Sequence, residues 1–132
     1  MKYLYTAVIS PIEGSTSYAA TVPDLPGCVT TGKDIPEAID MVVDAASLWL
    51  VVAEDKEMPI AKPTPQNELI REAGDICSLI QIDTIAYRAL TDTRCVRKNV
   101  SLPAWMARMA DKRGINCSQV LQEGLRLRLE NS

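Results

Sequence analysis

Val96-Arg97-Lys98-Asn99-Val100-Ser101-Leu102-Pro103 alternates in character along seven residues and then stops at a proline. A strand sends successive side chains to opposite faces. Val96, Lys98, Val100 and Leu102 therefore share one face, and Arg97, Asn99 and Ser101 the other. The first set is mostly apolar and needs a layer to pack on. Lys98 fits it by laying its stem along apolar surface while its ammonium reaches outward, towards a phosphate. The second set lines up a guanidinium, an amide and a hydroxyl, groups that read base edges in the major groove. The bland alternative is an ordinary solvated strand face.

Downstream, Pro103 is expected to open a helix, with Ser101 or Leu102 near its cap. Met106, Met109 and Ala110 give that helix an apolar stripe, and Gly114 ends it. Asn116 is placed to cap a second helix, with Gln119 three residues on. Val120, Leu121, Leu125, Leu127 and Leu129 supply its buried side. The amides at Cys117 and Ser118 form a positive helix end suited to a phosphate. One strand and two short helices cannot close a core, and the strand would keep two open edges. Two copies pairing antiparallel make a ribbon, with four helices around a shared interior. Such a ribbon fits the major groove, and folding becomes inseparable from association.

Charge separates this tail from the rest. The chain has 132 residues and a net charge of −3. From Thr93 onward Arg94, Arg97, Lys98, Arg108, Lys112, Arg113, Arg126 and Arg128 face only Asp111, Glu123 and Glu130, a net of +5, which leaves −8 on residues 1–92. A basic end suits a polyanion and an acidic body suits a basic partner. At 47 % hydrophobic and 23 % charged the chain reads as an ordinary globular protein. No apolar run reaches the roughly 18 residues of a spanning helix. The N-terminus passes directly into a strand pattern without a signal-peptide build, so a cytoplasmic location is expected. Histidine is absent, which removes imidazole acid–base chemistry and Ser-His or Cys-His nucleophiles. Cys28, Cys77, Cys95 and Cys117 have no zinc-type spacing and read as reduced core or semi-core residues.

The body reads as α+β. Residues 2–10 and Ser17–Val22 form a hairpin around Glu13-Gly14-Ser15. Pro23-Asp24-Leu25-Pro26-Gly27 is a rigid loop, because two prolines remove ladder donors. Cys28–Thr31 resumes as a strand that Gly32 ends. Asp34, with Glu37 three residues later and Pro36 in the first turn, starts an amphipathic helix of about five turns. Ile35, Ala38, Ile39, Val42, Val43, Ala46, Trp49, Leu50 and Ala53 form its apolar side. Met58–Pro65 is a connector, 66–72 one or two helical turns before Gly74, Ile76–Ile82 another strand, and 84–93 the hinge to the tail. The expected division is thus 1–83, a linker 84–93, and 94–132. Asp40, Asp44, Glu54 and Asp55 raise the possibility of a nuclease metal centre, but Asp40 and Asp44 lie one turn apart on a polar helix face, the usual solvated arrangement. Neither metal, cofactor nor enzymatic activity is expected.

Residues 94–130 resemble a ribbon-helix-helix DNA-binding domain, on Arg97–Pro103 and on Gly114-Ile115-Asn116-Cys117-Ser118. The body resembles the N-terminal domain of HicB-type antitoxins, on Tyr18-Ala19-Ala20-Thr21-Val22-Pro23-Asp24-Leu25-Pro26-Gly27-Cys28, then Thr31-Gly32 and the Glu37-Ala38 helix. The resemblance implies a partial RNase H-like sheet with one packed helix that has lost nuclease function and covers a HicA-type ribonuclease toxin. It also implies a tail that represses the operon. The expected partners are operator DNA, a HicA-type toxin and a second copy through the tail strand, with further pairing of dimers open. Arg97, Lys98, Asn99, Ser101, Asn116, Cys117 and Ser118 are the DNA-contact candidates. Asp24, Leu25 and Pro26 are candidates for the toxin surface, and Asp24 is equally readable as a turn residue supporting its loop. A stand-alone ribbon-helix-helix regulator with a ligand-sensing N-terminal domain is the alternative, although no glycine-rich phosphate loop is present.

Overall fold

A computed structural model describes residues 1–131. Four strands, β1 (Lys2–Pro11), β2 (Tyr18–Thr21), β3 (Val29–Gly32) and β4 (Ile76–Asp83), form one antiparallel sheet in the order β3-β2-β1-β4. Helix α1 (Ile35–Asp55) crosses one face between β3 and β4, and α2 (Thr84–Thr91), α3 (Ala104–Lys112) and α4 (Cys117–Glu130) follow. The architecture is α+β, as expected. β1 takes the central place because it supplies both ladders. Val8 pairs with Thr21 on one side and with Cys77 on the other.

The pleat decides the core. Tyr5, Ala7 and Ile9 point at α1 and are buried, together with Ala20, Ile80 and Ile82 from the neighbouring strands. Opposite them, α1 presents Ala38, Val42, Ala46 and Leu50. Small residues alternate with large ones along that face, so the helix lies close to the sheet. Gly32 marks the closest approach, where an added Cβ would run into the Ala38 backbone. Asp34 caps α1 as its spacing requires, accepting from the Glu37 amide at 2.9 Å, with Pro36 in the first turn.

The other end of α1 closes less easily. The Met58 N–H donates to the Ala53 carbonyl (2.9 Å) and the Glu57 N–H to the Glu54 carbonyl (3.3 Å), a Schellman pair. The residue that must turn left-handed is Glu57, at φ 53°. Glycine usually holds that position because a Cβ strains it. Helix α3 ends through the same motif, with Gly114 at φ 65°, the Gly114 N–H on Asp111 and the Ile115 N–H on Ala110.

Four expectations need correction. The stretch 84–93, read as a hinge, is mostly α2. It starts directly where β4 stops, because the Asp83 carboxylate accepts from the Ala86 amide and caps it. Residues 66–72 give only a 3-10 turn, Gln66–Glu68. Residues 96–102 form no strand in the single chain, and no described strand pairs with them. Pro103 occupies the cap position of α3 rather than its first turn, and neither Ser101 nor Leu102 caps it.

Candidate functional site

Two surfaces carry the candidate residues. The first is the tail. From Thr93 to Asn131 only Ala107 and Ala110 are even half-buried. Val100, Leu102, Met106, Ala110, Ile115, Cys117, Val120 and Leu121 line an apolar groove of about 310 Å³. The alternation read from sequence accounts for part of it, because Val100 and Leu102 share that lining. Val96, expected on the same face, is 91 % exposed. The apolar side of α4 is expected to be buried, yet Val120, Leu125, Leu127 and Leu129 are all exposed in the single chain. Neither α3 nor α4 makes an extensive contact with the sheet or α1.

Around this groove the polar candidates are exposed. Asn116 caps α4, its Oδ1 accepting from the Gln119 amide at 3.2 Å, so its side chain is already engaged. Cys117 and Ser118 begin the first turn, with Cys117 also lining the groove. Among the described residues Arg97, Lys98, Arg108, Lys112 and Arg113 carry no ion pair. Arg94 differs, because it grips the Asp92 carboxylate through Nε at 2.9 Å and Nη2 at 3.1 Å. That hydrogen bond, and the charge behind it, holds the Asp92 carboxyl below the usual range.

The second surface is the proline loop. Asp24 is half-buried, and its carboxylate accepts from both the backbone N–H (2.9 Å) and the hydroxyl (2.5 Å) of Thr64. It therefore ties the loop to the 58–65 connector, as a loop-supporting residue does. Leu25 is 1 % exposed and belongs to the core. Pro26 is exposed, and its carbonyl accepts from the Trp49 indole N–H at 2.9 Å. Of the three toxin candidates, Pro26 alone is exposed. Nearby, burial and then the Asp24 charge push the Tyr5 hydroxyl pKa up.

Sequence reading missed a polar junction that joins both chain ends of the body. Glu54 accepts from the Tyr3 hydroxyl (2.8 Å) and the buried Thr84 hydroxyl (3.1 Å), and pairs with Arg88 at 3.2 Å. Arg88 reaches Asp55 as well, at 2.9 Å. Desolvation and the Glu54 hydrogen bond raise the Tyr3 pKa to about 12. The only early signal was Glu54-Asp55 beside an isolated Arg88, and nothing local linked them. These carboxylates, candidates for a metal, instead serve the guanidinium. Among the described residues no three acidic or thiol groups are arranged to hold an ion.

The thiols divide. Cys28 is buried, and that burial raises its pKa against the opposing Val22 hydrogen bond. Cys95 and Cys117, expected in or near a core, are exposed. No described helix is long and apolar enough to cross a membrane.

Known proteins share this arrangement. A chain of a toxin–antitoxin complex from Streptococcus pneumoniae superposes with a TM-score of 0.61 at 19 % identity, over 95 % of this chain and 97 % of that one. The Burkholderia pseudomallei antitoxin HicB gives 0.54 at 22 % identity, over 93 % and 96 %. Its separately solved N-terminal domain gives 0.53 at 23 % identity, over 61 % of this chain and 98 % of that one. No curated protein matches the chain. The family model described as the HicB-like antitoxin of bacterial toxin–antitoxin systems matches residues 5–121, and the chain belongs to that family.

Proposed function

We propose that this antitoxin works through two parts, an acidic body that neutralises a HicA-type ribonuclease toxin and a basic tail that represses its own operon. The carrying observation is the contrast in burial. The body closes its own core, whereas the tail leaves an apolar groove open beside cations that have no described acidic partner. In the proposed ribbon-helix-helix dimer, residues 96–102 of two copies pair antiparallel and α3 and α4 of each cover the other's groove. Arg97, Asn99 and Ser101 then face base edges. Lys98 and the Asn116-Cys117-Ser118 turn face phosphates, where exposed amides favour an anion.

The body is proposed as a reduced RNase H-like fold without nuclease activity, and Pro26 as part of its toxin-facing surface. A toxin that binds RNA is expected to be basic, which suits the net −8 of residues 1–92. The separately solved N-terminal domain of the Burkholderia antitoxin supports reading the body as a domain of its own. The proposed division runs 1–83, 84–93 and 94–132, with α2 as a structured part of the junction.

Co-expression with the product of the adjoining reading frame, followed by binding of the pure complex to the DNA upstream, tests both halves. Co-purification of a small basic protein and a retarded DNA band are expected. Failure of both would overturn the proposal. Arg97→Ala should weaken operator binding by about 1–3 kcal/mol and relax base preference. Replacing Lys112 and Arg113 should lower affinity for every sequence and flatten the salt dependence.

A further inference from the structure

Helix α1 has a second apolar stripe. Its core side is fully used against the sheet, but Met41, Ala45, Leu48 and Val52 recur at intervals of three and four residues on a different side. Leu48 is 52 % and Met41 45 % exposed. Val29 from β3 and Met58 from the helix end extend the stripe into a groove of about 330 Å³ shared with Leu48 and Val52. Met58 reaches it only because the chain turns back at Glu57, in the left-handed conformation that a side chain disfavours. Trp49 forms one wall, and its bond to the Pro26 carbonyl holds the proline loop beside the groove.

Charge decides what fits there. Glu37, Asp44 and Asp55 fall on one line along α1 beside this stripe, seven and eleven residues apart, and all three are exposed. Asp55 engages Arg88, while Glu37 and Asp44 have no ion pair among the described residues. The open face of the sheet is the competing apolar surface, with Leu4 50 % and Leu79 59 % exposed. Its neighbours in register are Thr6, Gln81 and Lys2, and the one carboxylate among the paired positions, Asp83, stands opposite Lys2 and is engaged in capping α2. An apolar centre with a charged rim is the usual anatomy of a protein interface, and an acidic rim selects a basic partner.

We infer that the outer groove of α1, and not the open sheet face, is where the basic toxin docks. This deepens the neutralising role proposed above and rests on it. The apolar stripe supplies the buried centre, Pro26 and Trp49 the rigid edge, and Glu37 and Asp44 the attraction that speeds encounter.

The test uses the full-length antitoxin and the small basic protein of the adjoining reading frame, titrated by calorimetry. Leu48→Lys should weaken the complex roughly ten- to hundredfold, while Leu79→Lys leaves it unchanged. Both positions are exposed, so unaltered circular dichroism and operator binding are expected in each. The Glu37→Lys, Asp44→Lys pair should slow association and reduce its salt dependence. Wild-type binding with Leu48→Lys equally tight, or with the loss confined to Leu79→Lys, overturns the groove while leaving toxin neutralisation intact. Absence of wild-type binding removes both. A smaller assembly mass for toxin-free Leu48→Lys in sedimentation would assign the groove to a second copy instead, and also overturns the inference.

Discussion

The body and the tail of this antitoxin have similar apolar resources and opposite outcomes. In residues 1–92 the sheet and α1 bury Tyr5, Ile9, Val42, Leu50 and Ile82 against one another. In residues 93–131 the same kinds of residue, Val100, Leu102, Met106, Val120 and Leu125, stay exposed. Secondary structure does not explain the difference, because α3 and α4 are regular helices and α4, like α1, has a side-chain cap. Layers explain it. The body has a sheet and a helix to face each other, and the tail has two short helices with no second layer. The lesson is that local order and a closed core are separate achievements. A segment with only the first is built to be completed by something else.

The sharpest way to break the comparison is in the tail. Val100→Asp should cost about 3–5 kcal/mol for an unpaired charge buried at the proposed dimer face. Sedimentation should then show monomers, with the body's melting unchanged. A variant that stays dimeric would place Val100 outside the interface. Leu50→Ala acts on the other region. It should lower the body's stability by about 2–5 kcal/mol through the cavity it leaves. Urea titration should give that loss independently of protein concentration, whereas melting of the tail should depend on concentration.

The two Schellman ends sharpen the contrast at smaller scale. Glu57→Gly should stabilise the body by roughly 0.5–1 kcal/mol, because a left-handed residue without a Cβ carries no strain. Gly114→Ala should do the reverse to α3. The finest test concerns pH. Tyr3 ionises near 10 unfolded and at about 12 folded, so its contribution is complete below pH 10 and is lost as pH rises through 12. Tyr3→Phe should flatten that part of the stability profile. An identical alkaline slope would show that the Glu54 junction does not set it.

Much of the body was legible because its signals are local. Asp34 three residues before Glu37, the two prolines of the loop, and the period of α1 each fixed an element within a few residues of its observed bounds. The helix within 84–93 was not legible because the cap of α2 is Asp83, the last residue of a strand, with no loop between them. The burial of Leu25 was not legible because a loop position says nothing about depth. It belongs to the core formed with the sheet and α1 residues.

The sequence by itself determined α1, α3 and α4, the Asp34 and Asn116 caps, the alternation in 96–102 and the segregation of charge, since each depends on residues within a turn or a strand of one another. The tertiary structure alone decided which apolar stripe of α1 became core and which stayed open, and it alone brought Tyr3, Glu54, Thr84 and Arg88 together. Those outcomes depend on how the sheet packs on the helix and where β4 returns beside β1, contacts between residues too far apart in the chain for any local pattern to encode.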